Sequence, residues 1–85
     1  MSIRTLINEL IKCSRDLDSQ LQLINGLSQE VEKVTGEIQN NFQGSDTLEK
    51  LLTPLQNTKN TLRKTDTEIK LSQEKLKNLQ AKLRG

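Results

Sequence analysis

Residues 38–48 read Ile38-Gln39-Asn40-Asn41-Phe42-Gln43-Gly44-Ser45-Asp46-Thr47-Leu48. The middle of this stretch is turn chemistry. Asn and Gly tolerate the left-handed backbone that ends a helix, and Ser45 or Asp46 can cap a new one. Asp46 and Glu49 have capping-box spacing. Working outward from Gln43, the two sides mirror each other. On the N-terminal side Ile38, Val31, Ile24, Leu17, Leu10 and Ile3 recur every seven residues. On the C-terminal side Leu48, Leu55, Leu62, Ile69, Leu76 and Leu83 do the same. A seven-residue apolar repeat marks a helix seam that winds around a partner. Folding the chain at Gln43 pairs the ladders rung by rung, Ile38 with Leu48 down to Ile3 with Leu83. The expected fold is all-α: an antiparallel, coiled-coil-like hairpin of two helices, completed by a partner chain.

The expected organisation is a single hairpin over residues 1–85, with helices at about 2–40 and 47–83 and a turn at 41–46. Ser2 is placed to cap the first helix. Asn25-Gly26 has turn composition, but Ile24 and Val31 keep the seven-residue phase across it, so the helix is expected to continue. Pro54 removes a backbone donor inside the second helix. Thr53-Pro54-Leu55-Gln56 reads as a fresh start, with Thr as N-cap, Pro at the first position and Gln at the third. A kink near residue 54 is therefore expected. Phe42, the only aromatic residue, is placed to plug the apolar end of the hairpin.

The two helices differ in width. Beside its ladder the first carries the columns Leu6, Cys13, Leu27, Val34 and Ile7, Leu21, Phe42, with Ile11 adding breadth. The second is flanked by Leu51, Thr58, Thr65, Ser72, Leu79 and by Leu52, Lys59, Asp66, Gln73, Gln80. Its apolar stripe is narrow and covers only part of the first helix. Each helix is roughly 55 Å long at 1.5 Å per residue. A rod this thin has little interior, and small cores supply only about 3–5 kcal/mol. Leu6, Ile7, Ile11, Leu21, Leu27 and Val34 are thus the expected partner-facing stripe, with Leu23 beside them.

Composition narrows the function. The chain has no His, Trp or Tyr, one Cys and one Phe. Without His, and without aromatic walls to shift a carboxyl or amine pKa, acid–base catalysis lacks its usual means. Zinc ligands and a glycine-rich phosphate loop are also missing. No enzyme activity, metal or cofactor is expected. Cys13, on the flank of the first seam, is expected as a half-buried small apolar residue. The net charge is +2, with eight basic and three acidic residues from Lys59 to Gly85. The acids are interspersed and nothing stacks on bases, so a solvated helix face is expected rather than a nucleic-acid or membrane surface. The chain has no span of membrane length and no cleavable signal-peptide pattern, and is expected in the cytoplasm.

A hairpin of this size with Phe42-Gln43-Gly44 at its bend resembles the WXG-type (ESAT-like) helical hairpins of type VII secretion. Their shared motif is Trp-x-Gly in the loop between two long helices. Ser45-Asp46 and the leucine-rich start of the second helix are similar to the family pattern. Phe42 replaces the family's Trp, and the C-terminal Tyr-x-x-x-Asp/Glu signal is absent, which argues against export of this chain on its own. The resemblance implies a small accessory protein that pairs with the helical LXG targeting domain of a secreted toxin. Such a protein works in the producing cell, is exported if at all with its partner, and has Phe42 and Gly44 as its turn motif. Two other readings stay open. One is a structural coiled-coil subunit for assembly or scaffolding, or one that pairs with itself; the ladder alone supports it. The other is a basic module for nucleic acid or membrane.

Overall fold

The computed structural model describes residues 2–85. The chain is an all-α hairpin of two helices, α1 (Ile3–Asn41) and α2 (Thr47–Arg84). The rod measures 63 × 15 × 15 Å, with a radius of gyration of 19.2 Å. A compact chain of this length would have a radius of gyration of about 12 Å. The long, thin shape follows from the ladders, which provide one seam and no second layer.

Local chemistry sets the helix ends. The Ser2 hydroxyl accepts from the Thr5 N–H at 3.1 Å, which caps α1. At the other end the Phe42 N–H donates to the Ile38 carbonyl at 2.9 Å. Gly44 then takes φ +79°, the left-handed region, and the chain turns. The Ser45 N–H donates to the Phe42 carbonyl at 3.0 Å, and the Ser45 hydroxyl accepts from the Thr47 N–H at 3.0 Å. The capping box at Asp46 does not form. Asp46 already has helical backbone angles (φ −64°, ψ −22°) and makes no side-chain cap bond. The side-chain acceptor at this helix start is Ser45, one residue earlier.

Gly26 lies within continuous helix, as the preserved phase implied. Pro54 does not start a new helix; α2 passes through it unbroken. Thr53 is no cap, because its hydroxyl donates back to the Glu49 carbonyl at 2.9 Å. Thr58 does the same to the Pro54 carbonyl at 2.9 Å. Leu48, Leu51 and Leu52 before the proline and Leu55 after it are all half-buried. Apolar contact on both sides supports the continuity of α2 through Pro54 despite the missing N–H.

The seam interleaves each ladder with one flank, giving the alternating three- and four-residue spacing of knobs-into-holes packing. On α1 the second column is Ile7, Ser14, Leu21, Ser28 and Thr35, all half-buried. On α2 it is Leu52, Lys59, Asp66, Gln73 and Gln80, also half-buried. Ile24 and Leu62, an expected rung, line one groove between the helices. Among the described residues only Leu10 and Ile69 reach burial, each 9% exposed. The outermost rung stays open: Ile3 is 60% exposed because it begins α1, where no further turn packs over it.

Candidate protein-binding face

The polar half of the seam column determines which flank of the hairpin is which. Gln73 on α2 donates from Nε2 to the Asp18 carboxylate at 2.6 Å and to the Ser14 carbonyl at 3.3 Å. Lys59 pairs with Glu32. Two interhelical grooves open on this same side. One has Leu48, Leu52 and Leu55 in it, bordered by Gln39, Glu49 and Gln56. The other places Asn25 and Glu32 of α1 opposite Arg63 and Lys70 of α2. This side of the hairpin is grooved and charged.

The opposite side differs. Helical geometry puts residues three after each ladder position there. On α1 these are Leu6, Cys13, Gln20, Leu27 and Val34. On α2 they are Leu51, Thr58, Thr65, Ser72 and Leu79. None of the ten carries a charge. Leu27 is 49% exposed, Leu79 43% and Val34 42%. Leu23, four residues before Leu27, is more exposed still at 68%. The rims beyond these columns are charged. The α1 rim is Glu9, Asp16, Leu23, Glu30 and Glu37, with four carboxylates and no cation. The α2 rim is Pro54, Thr61, Glu68, Lys75 and Lys82, basic toward the open end of the hairpin.

The surface totals 6657 Å² for 9.7 kDa. A compact monomer of that mass would expose about 5,100 Å². The excess is the surface a second layer would remove, and the uncharged side is where removing it costs least desolvation.

The stripe expected from sequence divides between three environments. Ile7 and Leu21 belong to the seam column and are half-buried. Ile11 is half-buried on the charged side, and Leu6 is half-buried at the edge of the uncharged one. Leu27 and Val34 face solvent. Cys13 is exposed rather than half-buried. It lies outside the seam because the hairpin packs the Ser14 column and leaves the Cys13 column outside. Phe42 is not a plug. It follows the last residue of α1 and is 40% exposed. Gly44 supplies the bend through its positive φ.

Sequence reasoning missed Leu79 as part of this face and Gln73 and Lys59 as seam residues. The polar α2 column was legible as a column. Its place inside the seam depends on which flank packs, and periodicity treats both flanks alike. Among the described residues no cluster of three His, Cys, Asp or Glu is placed to hold a metal ion. No described helix is long and apolar enough to cross a membrane. Compared with protein-family models, curated proteins and solved structures, the chain finds no match.

Proposed function

We propose that this chain is a non-enzymatic binding factor that works by helix packing, and that its partner is a protein of the LXG type handled by type VII secretion. In this reading it acts in the cytoplasm of the producing cell and leaves it, if at all, with its partner. The observation that carries the reading is the pairing of an uncharged, leucine-bearing face with an exposed aromatic ring at the tip. The face offers a helical partner an apolar landing strip. Phe42, 40% exposed beside the Gly44 bend, is available as a contact for another protein. A ring needed only to close the hairpin would be buried instead.

The second reading, a structural coiled-coil subunit unrelated to secretion, needs the ladder and the face but gives the exposed ring no task. The test is a pull-down from the native cell with tagged chain, followed by mass spectrometry, using the wild type and Phe42→Ala in parallel. Recovery of a helical LXG-type protein by the wild type and its loss with Phe42→Ala supports the secretion reading. Recovery only of scaffold components, unaffected by Phe42→Ala, replaces it with the structural one.

A further inference from the structure

We propose that the grooved, charged side of the hairpin is a second docking surface, and that it takes an acidic helix of a partner protein, one with carboxylates at seven-residue spacing. This surface lies opposite the uncharged face, so the inference goes beyond the secretion reading and does not depend on it.

The basis is a column of cations. One residue after successive ladder positions on α2 stand Arg63, Lys70, Lys77 and Arg84, one per heptad with no acid among them. Arg63 and Lys70 line the groove between the helices, and helical periodicity carries the column on to Lys77 and Arg84 on the same side. At the open end Arg4 holds the equivalent position on α1. Acids on this side are already engaged: Asp66 with Lys70 at 2.9 Å, Asp18 with Gln73 and Glu32 with Lys59. Among the described residues Arg4, Arg63, Lys77 and Arg84 have no ion-pair partner. Charge at the other end of the rod does not cancel theirs. Residues 2–15 and 70–85 carry eight basic and two acidic side chains, residues 16–69 five and nine. The rod is 63 Å long, many times the screening length of about 8 Å at physiological salt. The net charge of +2 therefore hides a cationic end.

The spacing selects the occupant. Residues seven apart in one column lie about 10.5 Å apart along the axis, and a partner helix repeats any of its own columns at the same interval. Four carboxylates at heptad spacing meet the four cations in register, the kind of pairing that sets partner choice in coiled coils. A nucleic-acid duplex carries a charge about every 1.7 Å and gains nothing from this interval. This side also has apolar floor, with Ile24 and Leu62 beside Arg63, and Leu48, Leu52 and Leu55 further toward the bend. A helix with an apolar column next to its acidic one fills the floor and meets the cations together.

Fluorescence anisotropy on the full chain at physiological salt tests this. The probe is a labelled four-heptad peptide with Glu in one heptad column and Leu in the next, compared with the same peptide carrying Lys for Glu. The Glu peptide should bind at least about tenfold more tightly than the Lys peptide, and the preference should shrink as added salt screens the exposed charges. Arg63→Glu with Lys77→Glu should weaken the Glu peptide at least about tenfold and make the Lys peptide the tighter ligand. Lys33→Glu with Lys50→Glu changes the net charge equally, at positions about 15 Å or more along the axis from Arg63, and should alter binding less than about threefold. All four positions are exposed, and circular dichroism checks that the variants stay helical. Arg63→Gln with Lys77→Gln, which introduces no new charge, should still weaken the Glu peptide at least about threefold. A wild type that binds the two peptides alike, or binds neither, overturns the proposal. So does equal weakening by the two double reversals, which would make the effect one of bulk charge. Tighter binding to duplex DNA or to phosphatidylserine vesicles than to the Glu peptide overturns it in favour of a basic module for nucleic acid or membrane. A hairpin that recovers an LXG-type protein but shows no preference for the Glu peptide sinks this proposal and spares the function reading; the converse result spares this proposal and sinks the other.

Discussion

The side-chain amide of Gln73 reaches across the seam to the Asp18 carboxylate, 2.6 Å away and fifty-five residues apart in sequence. The same amide donates to the Ser14 carbonyl. A ladder of interchangeable Leu and Ile rungs can slip by seven residues and remain apolar throughout. A polar residue inside the seam disfavours this, because a slip takes Gln73 away from Asp18 and the Ser14 carbonyl. Gln73 thus reinforces the register that the ladders and the bend at Gly44 set.

The Gln73–Asp18 link should be measurable by a double-mutant cycle of Gln73→Leu and Asp18→Asn. The acceptor is charged but Asp18 is exposed, so the coupling should be about 0.5–1 kcal/mol rather than the larger value of a buried charge-assisted bond. The measurement is urea denaturation of the four proteins. Coupling indistinguishable from zero would mean that the bond does not hold the register. Gln73→Leu alone could raise stability by extending the apolar seam; lost register would then show as a broadened, probe-dependent transition.

Ser14 offers a second measurement at the same spot. Its hydroxyl is buried and has no hydrogen-bond partner, although its carbonyl receives Gln73. Ser14→Ala removes an unpaired buried group and adds a better helix former. Stability should rise by about 0.5–1.5 kcal/mol, read as a higher denaturation midpoint with unchanged m-value. A loss of stability would mean that the hydroxyl is engaged in solution.

The fold was legible because it depends on spacing. The mirrored ladders determine hairpin, direction and bend, and Gly44 and Ser2 each take the role their chemistry implies. The binding face was only half legible. Leu27 and Ser28 differ by one position, and so do Cys13 and Ser14, yet one of each pair faces solvent and the other is half-buried. Ranking by hydrophobicity would bury Leu27 and Cys13 and expose the serines. The hairpin does the reverse because small serines let the backbones approach and leave room for Gln73 and Lys59 from α2. That choice is tertiary, made by the opposing column. Pro54 is a similar case: its local signal for a helix start was genuine, and packing on both sides of it outweighed it.

Phe42 separates presentation from packing. A fully buried ring replaced by alanine would cost about 3–5 kcal/mol. At 40% exposure Phe42→Ala should cost about 1–2 kcal/mol. The thermal midpoint should therefore fall by about 4–8 °C per kcal/mol lost, well short of the drop a fully buried ring would give. Partner recovery in the pull-down should fall sharply if the ring is a contact for another protein. A large loss of stability would return Phe42 to the role of a plug. If neither stability nor recovery changes, the aromatic-x-Gly bend has no bearing on function and the structural coiled-coil reading takes over.

The same substitution at two glycines should have opposite signs. Gly26 lies inside α1 with nothing within 4 Å of the position a Cβ would take, so Gly26→Ala meets no obstacle. It should stabilise the chain by about 1 kcal/mol, through better helix propensity and a less flexible unfolded state. Gly44 also has open space around it, but its φ is +79°. Gly44→Ala should therefore destabilise by about 1–2 kcal/mol through backbone strain alone. Gly44→Asn should cost less, because Asn tolerates the left-handed region, and Gly44→Val should cost most. Equilibrium denaturation of the four variants gives the ordering directly. Gly44→Val as stable as the wild type would mean that the bend does not need a left-handed residue. Loss of stability in Gly26→Ala would mean that a neighbour closes on that face of α1 in solution, since the isolated hairpin leaves it free.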